Sequence, residues 1–387
     1  MPQKRKTVYV GMSGGVDSSV TAALLVKQGY EVIGVFIRVW EPDGAPCRWR
    51  AERRDAMRVA ARLDIPLFTL DLSVEYKKRV IDYMIAEYKR GRTPNPDVMC
   101  NQQVKFGAFY DWAMARGADY VATGHYARVA QSRQEVARAL GREFPVKTVS
   151  RQELFANSCL LLRSKDDNKD QTYFLWTLKP EQLPQILFPI GAYTKPEVRK
   201  LAKKFNLPNA EKRDSQGLCF VGKIEFKDFL KEFIDTKPGD VIDEKGKVIG
   251  HHDGVAFYTI GERHGFTVKS QTSNTKPFYV IERDIEKNRL IVAPNVRSQT
   301  SNASNKKEVK LENVNWLINE PPRLIKPTRQ YQARVRHRGE LLPCQINCQG
   351  VALTIKFSGK IPEAIASGQS LVLYDHDICL GGGVIFC

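Results

Sequence analysis

The chain has 387 residues, with 60 Lys plus Arg against 43 Asp plus Glu, a formal net charge of +17 and a pI near 9.5. At roughly 100–200 residues per domain, that length predicts two or three domains with ample core. A composition of 42% hydrophobic and 27% charged residues excludes a mainly disordered chain. No window approaches the ~18 uncharged apolar residues of a membrane span.

The start, Met1 to Lys6, has a basic flank but no apolar core, so a cleaved targeting peptide is not expected. Eight cysteines, at 47, 100, 159, 219, 344, 348, 379 and 387, without any C-x-x-C, predict mostly reduced thiols in a reducing cytoplasm. The charge excess is spread along the chain and favours a polyanionic partner, nucleic acid first; a generic basic enzyme is the alternative.

Taken in order, Thr7–Met12 is an apolar strand run and Asp17–Gln28 a helix ending at Gly29. Strands follow at Glu31–Val39, Pro66–Leu70 and Tyr120–Ala122, and helices at Arg50–Leu63, Val74–Arg90 and Gln103–Arg116. This βαβα series predicts a parallel sheet with helices on both faces, binding ligands beyond the carboxyl ends of its strands. Residues 131–160 look like an insertion, and 171–207 return to helical patterns punctuated by Pro180, Pro184, Pro189 and Pro196. From about residue 237 the period changes to strand-like. Hairpins are predicted from Pro238 to Val248 and from Tyr279 to Ala293, the second turning near Lys287 and Asn288. The polar stretches 270–276 and 298–307 read as loops, and 308–387 as a small antiparallel barrel. The expected domain bounds are 1–222, 223–305 (central and β-rich) and 306–387 (a β-barrel).

The strongest motif is Ser13-Gly14-Gly15-Val16-Asp17-Ser18-Ser19, between a strand and a helix. Its glycines let backbone approach an anion closely. The helix-start N–H groups and the Ser13 and Ser18 hydroxyls can hold a pyrophosphate. It is neither a Walker A loop nor G-x-G-x-x-G. It resembles the loop of the PP-loop ATP pyrophosphatase superfamily, whose members adenylate a substrate. That leaves amidation, lysidine formation and thiolation of tRNA open.

Two further blocks contain cysteine. Gly91 to Asn101 holds Pro94, Pro96, Asp97 and Cys100 in a stiff segment. Asp97 and Cys100 share a face if the next helix starts there, and a thiol near a helix N-terminus is more acidic; the alternative is a buried structural cysteine. Lys212 to Gly222 places Cys219 after a glycine with cations upstream. Two such cysteines beside an adenylation loop suggest sulfur transfer, one carrying a persulfide and the other acting on it through a reversible disulfide. Asp97, Cys100 and Cys219 as ligands of an iron–sulfur cluster is a rival chemistry. A non-catalytic RNA-binding protein that kept an ATP loop is a third reading.

These blocks closely resemble the tRNA-specific 2-thiouridylase family. So do Gly124 to Arg128, Lys165 to Leu175, Leu187 to Gly191, Ser367 to Ser370 and Cys379 to Gly383. The resemblance covers nearly the whole chain apart from 131–160 and the polar stretches. It implies an α/β chain: an N-terminal parallel-sheet PP-loop domain, a small mainly-β domain and a C-terminal antiparallel β-barrel. It implies that Gly11, Met12, Ser13, Gly14, Gly15, Val16, Asp17 and Ser18 bind ATP, with Ile37 and Gly124 nearby; Ile37 stands where the family often has Met. Asn95, Pro96 and Asp97 would meet the target uridine. Cys100 would be the nucleophile and Cys219 the persulfide carrier. Lys169, Asp170, Gln171, Arg336 and His337 would contact tRNA, and His125 and Gln369 would discriminate it. ATP with Mg²⁺ would be used, its Mg²⁺ ligands unassigned. The product would be 2-thiouridine at the wobble position of tRNAs for Lys, Glu and Gln. The sulfur would come from a cysteine desulfurase or a relay protein. Asp97 is the candidate acid/base group.

Other features stay outside that set. Cys47 lies among Arg48, Arg50, Arg53, Arg54, Arg58 and Arg62, which read either as an RNA-facing helix or as a solvated surface. Cys344, Ile346 and Cys348 read as one core face of a strand. His251-His252 lacks a partner at zinc spacing, and no zinc site is assigned.

Overall fold

The computed structural model describes residues 4–42, 49–131, 135, 159–213, 226–269, 277–294, 308–318, 329–348, 353–359, 361 and 365–386. Cys47, Cys219, Cys387, most of the 131–160 insertion and both polar stretches lie outside the described residues.

The first unit is a five-stranded sheet with strands β1 (Thr7–Gly11), β2 (Glu31–Arg38), β3 (Leu67–Asp71), β4 (Tyr120–Thr123) and β7 (Ile186–Leu187). All pairings are parallel, in the order β3-β2-β1-β4-β7. The order reverses at β1, so the crevice beyond β1 and β4 is the place where such sheets bind ligands. Helix α1 (Val16–Lys27) is buried along most of its length, in keeping with a sequence that is apolar almost all round. It stops where Gly29 adopts φ +87°. Helix α2 (Trp49–Leu63) is amphipathic, burying Ala56, Val59 and Ala60.

Helix α3, residues 73–89, contains a π segment at Lys77–Ile81. Helix α4, residues 96–114, contains another at Asn101–Ala108. The second helix starts seven residues earlier than its apolar periodicity predicts. Asn95 caps it by accepting from the Val98 N–H, and Pro96 occupies the first helical position, where a missing N–H costs nothing. Periodicity cannot register a helix that opens on a Pro-rich turn. Helix α5 (Lys195–Lys204) opens on a capping box between Thr194 and Glu197.

The central unit is a sheet of β8 (Gly239–Ile242), β9 (Val248–His252), β10 (Phe266–Val268), β11 (Tyr279–Asp284) and β12 (Arg289–Ala293). Both predicted hairpins are present, and Asn288 takes the left-handed turn position at φ +50°. The last unit is a closed six-stranded barrel of β13 (Glu308–Trp316), β16 (Leu353–Phe357), β15 (Leu342–Asn347), β14 (Tyr331–Arg334), β17 (Ser370–Asp375) and β18 (Ile378–Phe386), closed by antiparallel pairing of β18 with β13. Cys344 and Ile346 point into its core and Cys348 packs at its edge. Two strands from the N-terminal unit, β5 (Ala127–Ala130) and β6 (Leu160–Arg163), extend this sheet through Leu162 beside Ile378. Among the described residues no helix is long and apolar enough to cross a membrane.

Candidate active site

The loop from β1 to α1 sits at the switch point. Gly14 has φ +72°, and a Cβ there would lie 2.2 Å from the Glu52 carbonyl oxygen, so only glycine fits. Gly15 is the N-cap and supplies no side-chain cap, which leaves the first N–H groups of α1 facing outward as anion donors. Ser18 Oγ accepts from the Ser13 N–H at 3.2 Å, and the two hydroxyls lie 3.3 Å apart. Gly124 closes the pocket from the end of β4: a Cβ on it would lie 2.7 Å from the Ser18 nitrogen. Met12 is buried, with its N–H on the Val35 carbonyl. Gly11 and Val16 flank the loop at the end of β1 and the start of α1, and Ile37 lies at the carboxyl end of β2.

Asp17 is held by groups that sequence reading left out. Lys195 Nζ donates to both its oxygens, at 2.8 and 2.9 Å, and the Tyr126 hydroxyl donates to Oδ1 at 2.9 Å. Asn209 Nδ2 and Lys212 Nζ both donate to the Gly14 carbonyl, at 3.0 and 3.2 Å. Lys195 is visible in sequence only as the first residue after an N-cap. Lys212 belongs to the block that contains Cys219, so the chain entering that block is anchored at the loop.

Cys100 is 5% exposed and sits at the fifth residue of α4, just before the π segment. Asp97 lies in the same helical turn. Burial raises the Asp97 pKa, and Lys105 opposes the rise. Lys105 also acts on His125, whose pKa falls well below the usual imidazole value, first through burial. His125 Nδ1 lies 2.7 Å from Thr123 Oγ1, and its ring packs against Phe106 and Phe188. Lys105 carries no sequence signature beyond one more charge in a basic chain.

Phe174 joins the other expected contacts. Its carbonyl accepts from Asn101 Nδ2 at 3.1 Å, and its ring lies 4.5 Å from His337. The Cys100 helix, the segment after Lys169 and the barrel loop with exposed Arg336 therefore meet. Asn101 Oδ1 and His337 Nδ1 are buried there without a hydrogen-bond partner among the described residues, acceptors or donors still to be matched.

Three residues expected at the tRNA have internal hydrogen-bond partners. Asp170 is 1% exposed and pairs with Arg334 at 3.0 Å while accepting from Ser164 and Thr172. Gln171 Oε1 accepts from the Tyr126 N–H at 2.9 Å, so it supports the tyrosine that holds Asp17. Gln369 Nε2 donates to the Thr93 and Pro94 carbonyls, just ahead of Asn95 and Pro96. Among the described residues no group of three or more His, Cys, Asp or Glu side chains is placed to hold a metal ion.

A parallel sheet with this Ser-Gly-Gly-x-Asp-Ser loop at its switch point defines the class: a PP-loop ATP pyrophosphatase fold carrying two β domains. Residues 6–223 match the family model described as tRNA methyl transferase HUP domain, 227–294 that of the tRNA methyl transferase PRC-barrel domain, and 306–385 that of the aminomethyltransferase beta-barrel domain. The tRNA-specific 2-thiouridylase MnmA 1 of Geobacillus kaustophilus is 42% identical, over 99% of this chain and 96% of its own. The tRNA-specific 2-thiouridylase MnmA of Ralstonia nicotianae is 43% identical, over 98% and 96%. The chain belongs to the tRNA-specific 2-thiouridylase family.

Proposed function

We propose that this chain is a tRNA 2-thiouridylase that uses ATP to replace the C2 oxygen of the wobble uridine with sulfur. The observation that carries the reading is the meeting of the Asp97–Cys100 helix, the segment after Lys169 and the barrel loop of Arg336 and His337 in a chain of this family that also carries the ATP loop. The loop N–H groups and the Ser13 and Ser18 hydroxyls bind the phosphates of ATP, and Lys195 and Lys212 supply positive charge beside them. Mg²⁺ carried in with ATP would offset charge on the departing pyrophosphate; Asp17, whose two oxygens accept from Lys195 and one also from Tyr126, is not open to it as a ligand.

The uridine leaves its stack to enter beside Asn95, Pro96 and Asp97, because C2 inside an anticodon stack cannot reach the α-phosphate. Its C2 oxygen attacks the α-phosphorus, and pyrophosphate leaves. The raised pKa of Asp97 lets it hold a proton at higher pH than an ordinary carboxylic acid and exchange it at N3 of the base. A persulfide on Cys219 then supplies the sulfur. In one route its terminal sulfur attacks C2 and expels AMP, and Cys100 then attacks the Cys219 sulfur, breaking the S–S bond to release the thiolated base and leave a Cys100–Cys219 disulfide; in the other, Cys100 attacks the persulfide first, forms the same disulfide and expels sulfide, which attacks C2 as AMP leaves. Lys169, Arg336 and His337 meet the tRNA, and Asp170, Gln171 and Gln369 act by holding these segments in place. His125 sits behind them as a neutral, aromatic-packed wall. The substrates are tRNAs for Lys, Glu and Gln, and a cysteine desulfurase or relay protein loads Cys219 in the cytoplasm.

The family-model descriptions speak of methyl transfer, whereas an ATP loop together with two cysteine blocks in one chain favours thiolation. Incubating unmodified tRNA with ATP, Mg²⁺ and a persulfide donor separates them by nucleoside mass spectrometry. Oxygen-to-sulfur exchange at one uridine is expected, lost in Cys100→Ala and Cys219→Ala. A methyl mass gain, or no gain with any tRNA, would overturn the reading. One iron–sulfur cluster per chain after anaerobic purification, lost in Cys100→Ala, would replace the persulfide route.

A further inference from the structure

We propose that Arg283, in the central β domain, is a positioning residue for the uridine-binding turn of the catalytic domain. The inference rests on the thiolation reading and names a new residue serving that site. Arg283 Nη2 donates to the Gly91 carbonyl at 2.7 Å and Nη1 to the Tyr258 carbonyl at 2.6 Å. Among the described residues no carboxylate lies within ion-pair distance of it. Burial lowers its pKa, an effect that Tyr88 and Glu262 oppose. A desolvated guanidinium without a carboxylate is costly. Here its fork instead joins two backbone segments from different domains, a task suited to a planar, bidentate donor.

Gly91 is shaped for this contact. It ends helix α3 in the left-handed conformation, φ +71°, and a Cβ on it would lie 2.7 Å from Ile285 Cγ1, two residues beyond Arg283. The next residues are held from the opposite side by the barrel. Arg92 pairs with Glu312 and also with Glu87 at 3.1 Å. The Thr93 N–H donates to the Ser367 carbonyl at 2.8 Å, and Gln369 Nε2 donates to the Thr93 carbonyl at 3.0 Å. Residues 91–94 are thus fixed by both β domains immediately before the Asn95 cap that starts the Asp97–Cys100 turn. Without Arg283 one of the two holds is gone, and the turn keeps its sequence but not its place.

The test uses full-length Arg283→Met and Arg283→Lys in the tRNA thiolation assay, with hydrogen–deuterium exchange on the same proteins. Arg283→Met should lower kcat roughly tenfold to a hundredfold, the scale of an ångström-sized misplacement. KM for ATP should stay within about twofold, since the ATP loop does not touch Arg283. Arg283→Lys, which keeps one donor toward Gly91, should recover part of the rate. Exchange should rise in 91–100 while β11 and β12 keep their protection. A wild-type kcat in Arg283→Met would overturn the proposal. So would faster exchange throughout the central domain without a distinct change in 91–100, because that marks general destabilisation. If the wild-type protein does not thiolate tRNA, the functional reading fails, and the exchange arm still decides whether Arg283 holds the turn.

Discussion

At the scale of single residues, the site depends on burial changing proton affinity. Asp97 and His125 share one neighbouring cation, Lys105, yet move in opposite directions, because burial disfavours the charged form of each: the carboxylate of one and the imidazolium of the other. His337 follows the same rule. Burial, with Arg338 and Arg334 nearby, lowers its pKa from 6.5 to about 4. The unfolded chain therefore binds this proton at higher pH than the folded one. The contribution to stability is complete above pH 6.5 and is lost as pH falls toward 4. His337→Gln should flatten the pH dependence of unfolding free energy across that window in denaturant titrations. An unchanged slope would mean that the ring is solvated in the native state. The sequence identified His337 through family resemblance, but nothing in Gln332 to Arg338 indicates that the ring packs, tilted, against Phe174, which lies far away along the chain.

Among the elements, α2 is the one whose role the alternatives left open. Arg50, Arg54, Arg58 and Arg62 are exposed at four-residue intervals, a single stripe with about 6 Å between successive positions. Arg58 has a loose partner in Asp55 at 3.6 Å, and Arg62 Nε donates to the Asn206 carbonyl at 3.3 Å. Such a row matches a linear polyanion better than a point charge. Replacing all four with Gln should reduce the slope of log K against log salt for tRNA binding by about one for each phosphate no longer neutralised. An unchanged slope would assign the stripe to solvent. The start of α4 teaches a different lesson. The Pro94-Asn95-Pro96 run reads as loop in sequence, whereas a capping Asn followed by proline at the first helical position is a good helix start once the chain has a surface to pack on.

For the molecule as a whole, one buried cluster runs through all three units, from Tyr76 and Phe109 through Val280 and Leu290 to Val372 and Tyr374, and hydrogen bonds tie the N-terminal unit to the barrel. The Tyr173 hydroxyl donates to the Ser370 carbonyl at 2.8 Å, Trp176 Nε1 donates to Ser370 Oγ at 3.0 Å, and Asn315 Nδ2 donates to the Trp176 and Leu178 carbonyls. Asp170 and Arg334 form a buried ion pair across the same junction. Removing one partner of such a pair costs about 3–5 kcal/mol, because the other charge is left buried. Asp170→Ala should therefore lower the calorimetric unfolding midpoint and separate barrel melting from that of the N-terminal unit. A single unshifted transition would show that the pair is dispensable.

The chain's own sequence determined what local chemistry can specify. Apolar strand runs interleaved with helical periods set the parallel sheet, strand-like alternation set the hairpins and the barrel, and glycines beside small hydroxyls set the phosphate loop. Asp97 and Cys100, three residues apart, were recognisable as a unit for the same local reason. Only the tertiary structure decided which distant groups complete the site. Lys195 and Tyr126 reach Asp17, Lys212 reaches Gly14, Gln171 turns inward to Tyr126, and Arg283 and Gln369 hold 91–94. These interactions span long stretches of chain and obey no period. They exist because packing brings a side chain to a backbone carbonyl or a carboxylate that would otherwise be buried without a partner.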